Sequence, residues 1–310
     1  MKDEDRIMMN YQEFVETLMK EIGEETGLRT EFHEDDEKIS QDGIWVYISE
    51  NKEGIHFLRL LTKESYCKWK REEATFHDFV REVKQSVINF RNAGVPDKIK
   101  QLMYYDLVKK GLFIRLINFE RNKAALEDSF YKRIGEIAMV LYEKIADEDE
   151  GIVSCKVPLK YVDGWDLNKE EVFMAALRNT VSMMPPKAYE WVKMIMNPDY
   201  EGDDIYDPDY IPAKGIAGSC LSTSRKTNGA VGIFYPGVAR LFCDKMDTDD
   251  IYMVFTSVHE VMIHNANDIE PENLKLVLED MIREEISEED VLTHCVYHYN
   301  AKTDRIEMLL

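Results

Sequence analysis

Three times along this chain, two short apolar runs precede an amphipathic helical stripe, near residues 44–90, 134–181 and 251–286. Apolar residues alternating with polar ones mark a strand, and apolar residues at i, i+3, i+4 and i+7 mark a helix. The first unit shows the switch plainly. Runs at 44–48 and 55–61 have strand length, and Phe76, Phe79, Val80, Val83, Val87 and Phe90 then fall on one helical stripe. In the second unit, strands are predicted at 134–145 and 152–159 and a helix at 167–181. In the third, strands are predicted at 251–257 and 260–263. The helix at 272–286 follows Pro271, which costs nothing at a first helical position, where the N–H has no partner anyway. Identity between the three units is low, so they share a topology rather than a repeat. A chain that must bury three such units is α+β: mixed β-sheets with packed helices, built from strand–strand–helix units. The apolar share, 45%, supplies the core for it.

The segment 197–214 interrupts this rhythm with six acidic residues and three prolines. A stretch of that length without apolar periodicity is uncommon inside a compact domain. The expected organisation is therefore an N-terminal α+β region over 1–196, divisible at 94/95, an acidic linker at 197–214, and a C-terminal α+β region over 215–310. A helix is predicted over about 186–196. Beyond the linker, 215–223 and 230–235 flank Thr227, Asn228 and Gly229, and Asn-Gly predicts a hairpin. A helix at 238–246 and strands at 291–299 and 305–309 complete the reading.

Charge narrows the functional classes. The net charge is −21, distributed as −8 over 1–40, +4 over 41–146 and −17 over 147–310. An anionic chain is repelled by nucleic acid and by anionic membranes. Five widely spaced cysteines without a Cys-x-x-Cys pair fit a reducing compartment. With no leader-like apolar run at the N-terminus, the expected location is the cytoplasm.

Several segments resemble an uncharacterised bacterial family, a domain of unknown function common in gut anaerobes. These are 116–123 (Leu-Ile-Asn-Phe-Glu-Arg-Asn-Lys) with 126–128, Thr227 to Ala230 through Tyr235 to Val238, 257–261, and 291–299. Met9, Asn10, Tyr11 and Phe14 match the usual start of its members, so residues 1–8 read as an extension or an alternative start. The chain departs from the family around 66–73, where a less basic segment is expected. The resemblance implies the fold unit and a bacterial cytosolic setting. It implies no activity, cofactor or catalytic residue.

The candidate sites follow from residue chemistry. Asn118, Glu120 and Arg121 are polar residues closing a predicted strand, either a functional pair or a structural ion pair beside a cap. Arg225, Asn228 and Tyr235 offer a rim on the predicted hairpin, and His259 and Glu260 are further candidate binding residues. The run from His259 to His264 misses the zinc motif His-Glu-x-x-His by one residue, and a spacing of five turns the two rings about 140° apart on a helix. His294 and His298, four apart, share a face and with His259 form a candidate metal set. Lys63, Lys68, Trp69, Lys70 and Arg71 interleave cations with an aromatic ring, a pattern suited to single-stranded nucleic acid. The acidic 197–214 segment has the wrong spacing for a calcium loop.

No enzyme motif survives these comparisons. The expected function is a non-catalytic, cytosolic binding or interaction protein with a protein partner and no cofactor. A metal-dependent hydrolase using the C-terminal histidines and a nucleic-acid binder using 63–71 are the alternatives.

Overall fold

Helix α1 (Tyr11–Thr26) begins where Asn10 and Glu13 cap each other reciprocally, and it ends at Gly27, which adopts a left-handed conformation (φ 67°). Its stripe of Phe14, Val15, Leu18 and Ile22 is buried. That stripe packs on an antiparallel sheet, β1 (Arg29–His33), β2 (Gly43–Asn51) and β3 (Gly54–Leu61), in the order β1-β2-β3. Helices α2 (Thr62–Lys70) and α3 (Phe76–Asn92) close the layer. Phe14 sits at the centre, its ring 5.2 Å from both Trp69 and Phe76 and 6.2 Å from Phe79.

This computed structural model describes residues 9–34, 42–51, 54–92, 99–148, 151–197 and 199–310. The predicted turns at 51–54, 92–96 and 147–151, and residues 1–8, fall wholly or partly outside that set. The chain divides into two compact units, Met1–Lys98 and Ile99–Leu310. No helix among the described residues is long and apolar enough to cross a membrane.

In the second unit, β4 (Leu112–Asn118), β5 (Tyr131–Ile134), β6 (Ile137–Glu148) and β7 (Gly151–Lys156) form one sheet in which β6 pairs with the other three. Helix α4 (Lys169–Met183) lies against β4, and its Thr180 hydroxyl accepts the Ile114 N–H at 2.9 Å. A six-stranded sheet runs β13-β12-β10-β11-β9-β8. Its strands are β8 (Pro186–Tyr189), β9 (Ser219–Thr223), β10 (Asp250–Val254), β11 (Val261–Asn265), β12 (Val296–Asn300) and β13 (Arg305–Met308). Helix α5 (Val238–Met246) precedes β10. Helix α6 (Pro271–Glu285) buries Leu274 and Leu278 with Val254, Met262 and Val296. The α+β class holds, with every described pairing antiparallel rather than mixed in direction.

Three expectations need correction. The two compact units divide at residue 98, close to the 94/95 division, and 197–214 lies inside the second unit rather than between units. That segment is stitched onto the second unit: Ala188 and Asp203 exchange backbone hydrogen bonds at 3.0 and 2.7 Å, and Ile205 is fully buried. It covers an edge strand that would otherwise present unpaired backbone groups. Residues 186–189 form that edge strand rather than a helix, and Pro186 is tolerated there because the first residue of an edge strand need not donate to the ladder. Residues 229–234 form a buried 3-10 helix, not the second arm of a hairpin. Asn228 does take the left-handed turn (φ 51°), but Ala230, Val231 and Ile233 then all enter the core.

His264, on β11, is buried and presents Nδ1 to the Gly215 carbonyl at 3.2 Å, so Nδ1 carries the proton and donates. Burial pushes its pKa below the ordinary imidazole range, an effect only partly offset by the carbonyl. Between the folded and ordinary values the unfolded chain binds more protons, so this group's stability is complete above about pH 6.5 and declines as the pH falls. The thermal midpoint is expected to drop between pH 7 and pH 5, and a His264→Gln variant is expected to lose part of that drop. An identical pH profile in the variant would contradict the assignment.

Candidate functional site

Strand β4 ends at Asn118, and the turn after it is locked by amides. The Asn118 side chain donates to the Leu292 carbonyl at 2.9 Å and accepts the Arg121 N–H at 2.8 Å, while Asn122 donates to the Asn118 carbonyl at 2.9 Å. This turn holds the Arg121 guanidinium against the backbone of the segment after α6, where it donates to the carbonyls of Glu288 and Val291. Burial lowers the guanidinium's pKa, opposed by the acids Glu288, Glu289 and Asp290. Glu120 pairs with Arg133 at 2.9 Å, and Arg133 lies 3.7 Å over the Phe119 ring. The Glu120–Arg121 pair is therefore not formed; each side chain serves a different partner.

Glu136, in the β5–β6 turn, completes the junction. Its carboxylate accepts the Thr293 hydroxyl at 2.7 Å and the His294 N–H at 3.3 Å. Burial raises the carboxyl's pKa, but these donors outweigh it and hold Glu136 below the usual carboxylate range. Its backbone N–H donates to the Tyr297 hydroxyl at 3.0 Å. Between the 118–121 turn, Glu136 and the 282–294 segment lies a half-open cleft of about 450 Å³. Ile282, Ile286 and Val291 supply its apolar surface; Asn118, Glu120, Arg121, Glu136, Glu288 and His294 supply its polar one. Among the described residues the Glu288 carboxylate and the His294 ring make no hydrogen bond.

Arg121→Ala removes two charge-assisted hydrogen bonds and is expected to cost about 2 kcal/mol. Amide exchange should accelerate at 286–292. Arg121→Lys should restore only part, because an ammonium cannot span two carbonyls with a rigid fork. Unchanged exchange in the alanine variant would remove the clamp from the account.

The other candidates are dispersed. His259 accepts the Asn228 N–H on Nδ1 at 3.1 Å, which leaves Nε2 protonated to donate to Asp290 at 3.1 Å. His298 contacts Asp250 at 2.8 Å, and only His294 reaches the cleft. Among the described residues no group of three or more His, Cys, Asp or Glu side chains is arranged to hold a metal. Glu260 accepts the Thr256 hydroxyl at 3.0 Å and faces the Cys220 thiol at 3.5 Å. Arg225 pairs with Asp147 at 2.8 Å. Tyr235 is 2% exposed and donates to the Met184 carbonyl at 2.9 Å, so it belongs to the core and not to a rim.

The 63–71 segment is likewise corrected. Trp69 is 0% exposed, and a base cannot stack on a ring whose faces the core already covers. Lys63 and Lys68 pair with Asp42 and Glu64 at 3.5 and 2.5 Å. Lys70 lies 5.4 Å from the Tyr66 ring, and Arg71 caps α2 through its backbone N–H.

Sequence reasoning found Asn118, Glu120, Arg121 and His294 but not that they converge, and it missed Glu136, Ile282, Ile286, Glu288 and Val291. Glu136 follows Gly135 in a left-handed turn (φ 57°), the one local signal that the position is special.

A family model described as "Family of unknown function (DUF5688)" matches residues 11–301. No curated protein and no solved structure matches the chain.

Proposed function

This chain belongs to the DUF5688 family of unknown function, and we propose that it is a cytoplasmic, non-catalytic binding protein that takes its ligand in the cleft between residues 118–121, Glu136 and 282–294. One observation carries the reading. Three segments distant in sequence meet at a cleft of about 450 Å³, within the usual range for ligand sites, and the clamp that joins them leaves polar groups unspent beside an apolar surface. The chemistry favours holding over reacting. Glu136 is kept ionised by the Thr293 hydroxyl, the His294 N–H and the Cys295 thiol, which suits recognition better than proton transfer near neutral pH. The Arg121 guanidinium is spent on carbonyls. Thr293, the hydroxyl nearest Glu136, is 0% exposed. Five unpaired cysteines support the cytoplasmic location.

Ligand-observed NMR with a library of small fragments tests this. Fragments are expected to bind the wild type and be recovered unchanged, and Ile286→Trp, which fills the cleft, is expected to abolish binding. Hits indifferent to the tryptophan, or chemical conversion of a fragment, would overturn the proposal.

A further inference from the structure

The cleft's own charges identify the chemistry of its occupant. Three carboxylates line it, Glu120, Glu136 and Glu288, against one guanidinium and the His294 imidazole. That guanidinium does not offer its donors to a ligand, because Arg121 already donates to the carbonyls of Glu288 and Val291. The carboxylates are not equally committed. Glu120 is bound by Arg133 on one oxygen, Glu136 accepts the Thr293 hydroxyl and the His294 N–H on Oε2 and also faces the Cys295 thiol, and Glu288 makes no side-chain hydrogen bond among the described residues. Acceptor capacity in the cleft therefore exceeds donor capacity, and the excess is anionic. Beside it lie three branched aliphatic side chains, Ile282, Ile286 and Val291.

An anionic rim over an apolar surface suits a ligand with a charged head on a methylene stem. A compact ammonium with three N–H donors matches carboxylates arriving from three separate segments, whereas a planar guanidinium prefers one carboxylate taken in a fork. From the charge and the open shape of the cleft, and resting on the binding role proposed above, we infer that it receives a lysine side chain presented by a segment of a partner protein. The half-open form leaves space for the residues flanking that lysine. The charge of −21 over the whole chain steers such a partner toward it.

Isothermal titration calorimetry on the full chain tests this with four probes: a short capped peptide carrying one lysine between leucines, the same peptide with norleucine for lysine, the same peptide with glutamate for lysine, and 1,5-diaminopentane. The lysine peptide is expected to bind at least tenfold more tightly than the others, and its affinity should fall as salt is raised. Glu288→Gln, at an exposed position whose side chain makes no hydrogen bond among the described residues, is expected to weaken the lysine peptide about tenfold and leave the norleucine peptide unchanged. Equal binding of the lysine and norleucine peptides, or tighter binding of the glutamate peptide, would overturn the inference. Diaminopentane binding as tightly as the peptide would overturn the protein source of the ammonium. If neutral fragments still depend on Ile286 while the lysine peptide does not bind, the ligand class fails and the binding cleft stands. If no probe depends on Ile286, both fail.

Discussion

Replacing Trp69 by alanine is expected to cost about 3–5 kcal/mol, the range for removing a large buried aromatic side chain. Trp69 is fully buried and makes ring contacts with Phe14 at 5.2 Å, Phe76 at 5.6 Å and Tyr66 at 6.0 Å. These rings come from α1, α2 and α3, so one truncation opens a cavity at the point where all three helices meet the sheet. A small domain has about 5–15 kcal/mol of stability in total, and the loss is a large part of that. Amide exchange followed by mass spectrometry localises the effect. Peptides from residues 11–92 should lose protection, and peptides from 112–301 should keep theirs. Unchanged protection over 11–92 would mean that Trp69 is not the centre of the N-terminal core.

Gly229→Ala is the second large effect, and it acts by overfilling. An added Cβ would overlap the Ser222 hydroxyl and the carbonyl oxygen of His259, and it would lie 2.7 Å from the Ser222 Cα. Two of these obstacles are backbone atoms of β9 and of the loop before β11, which cannot swing aside as a flexible side chain can. Overpacking usually costs about 1–3 kcal/mol, and a clash with fixed backbone belongs at or above the top of that range. Gly232, three residues on in the same 3-10 helix, is the control. A Cβ there would meet the Leu221 Cδ2 at 3.5 Å, an ordinary contact. Urea unfolding should show Gly229→Ala destabilised by about 3 kcal/mol or more and Gly232→Ala within about 1 kcal/mol of wild type. Equal stability of the two variants would contradict the packing described around Ser222 and His259.

The same two sites show what could be read in advance. The α3 stripe from Phe76 to Val87 was legible because its burial follows from local period alone, and the matching core residues are buried. Trp69 was misread for a related reason. Lysines at 68 and 70 made its neighbourhood look solvated, but a helix turns neighbouring residues to different faces, and the ring points inward while the cations point out. The Asn-Gly pair at 228–229 predicted a hairpin, and only Asn228 takes the left-handed conformation that such a turn needs. It did not reveal that the next residues would wind into the core, because that depends on β9 and on the 258–259 backbone.

The cleft was legible only in fragments. Asn118, Glu120 and Arg121 stood out as polar residues ending a strand, yet their partners lie up to 174 positions away. No local pattern encodes the pairing of Asn118 with Leu292 or of Glu136 with Thr293. Ile282 and Ile286 read as ordinary members of a helical stripe, and only the arrival of the 118–121 turn beside them makes them walls of a cleft. The metal set failed for the same reason in reverse: His294 and His298 share a face by spacing, but His298 is taken by Asp250 and His259 by Asp290.

In the proposed function, residues 118–121, Glu136 and 282–294 act together as one recognition site. Methyl-resolved NMR of the full chain, titrated with the lysine peptide, tests it most directly. Saturable shifts of the Ile282, Ile286 and Val291 methyl signals are expected, with the buried methyls of Ile44 and Ile251 unmoved. Shifts confined to methyls outside the cleft, or none at peptide concentrations that saturate binding, would contradict it.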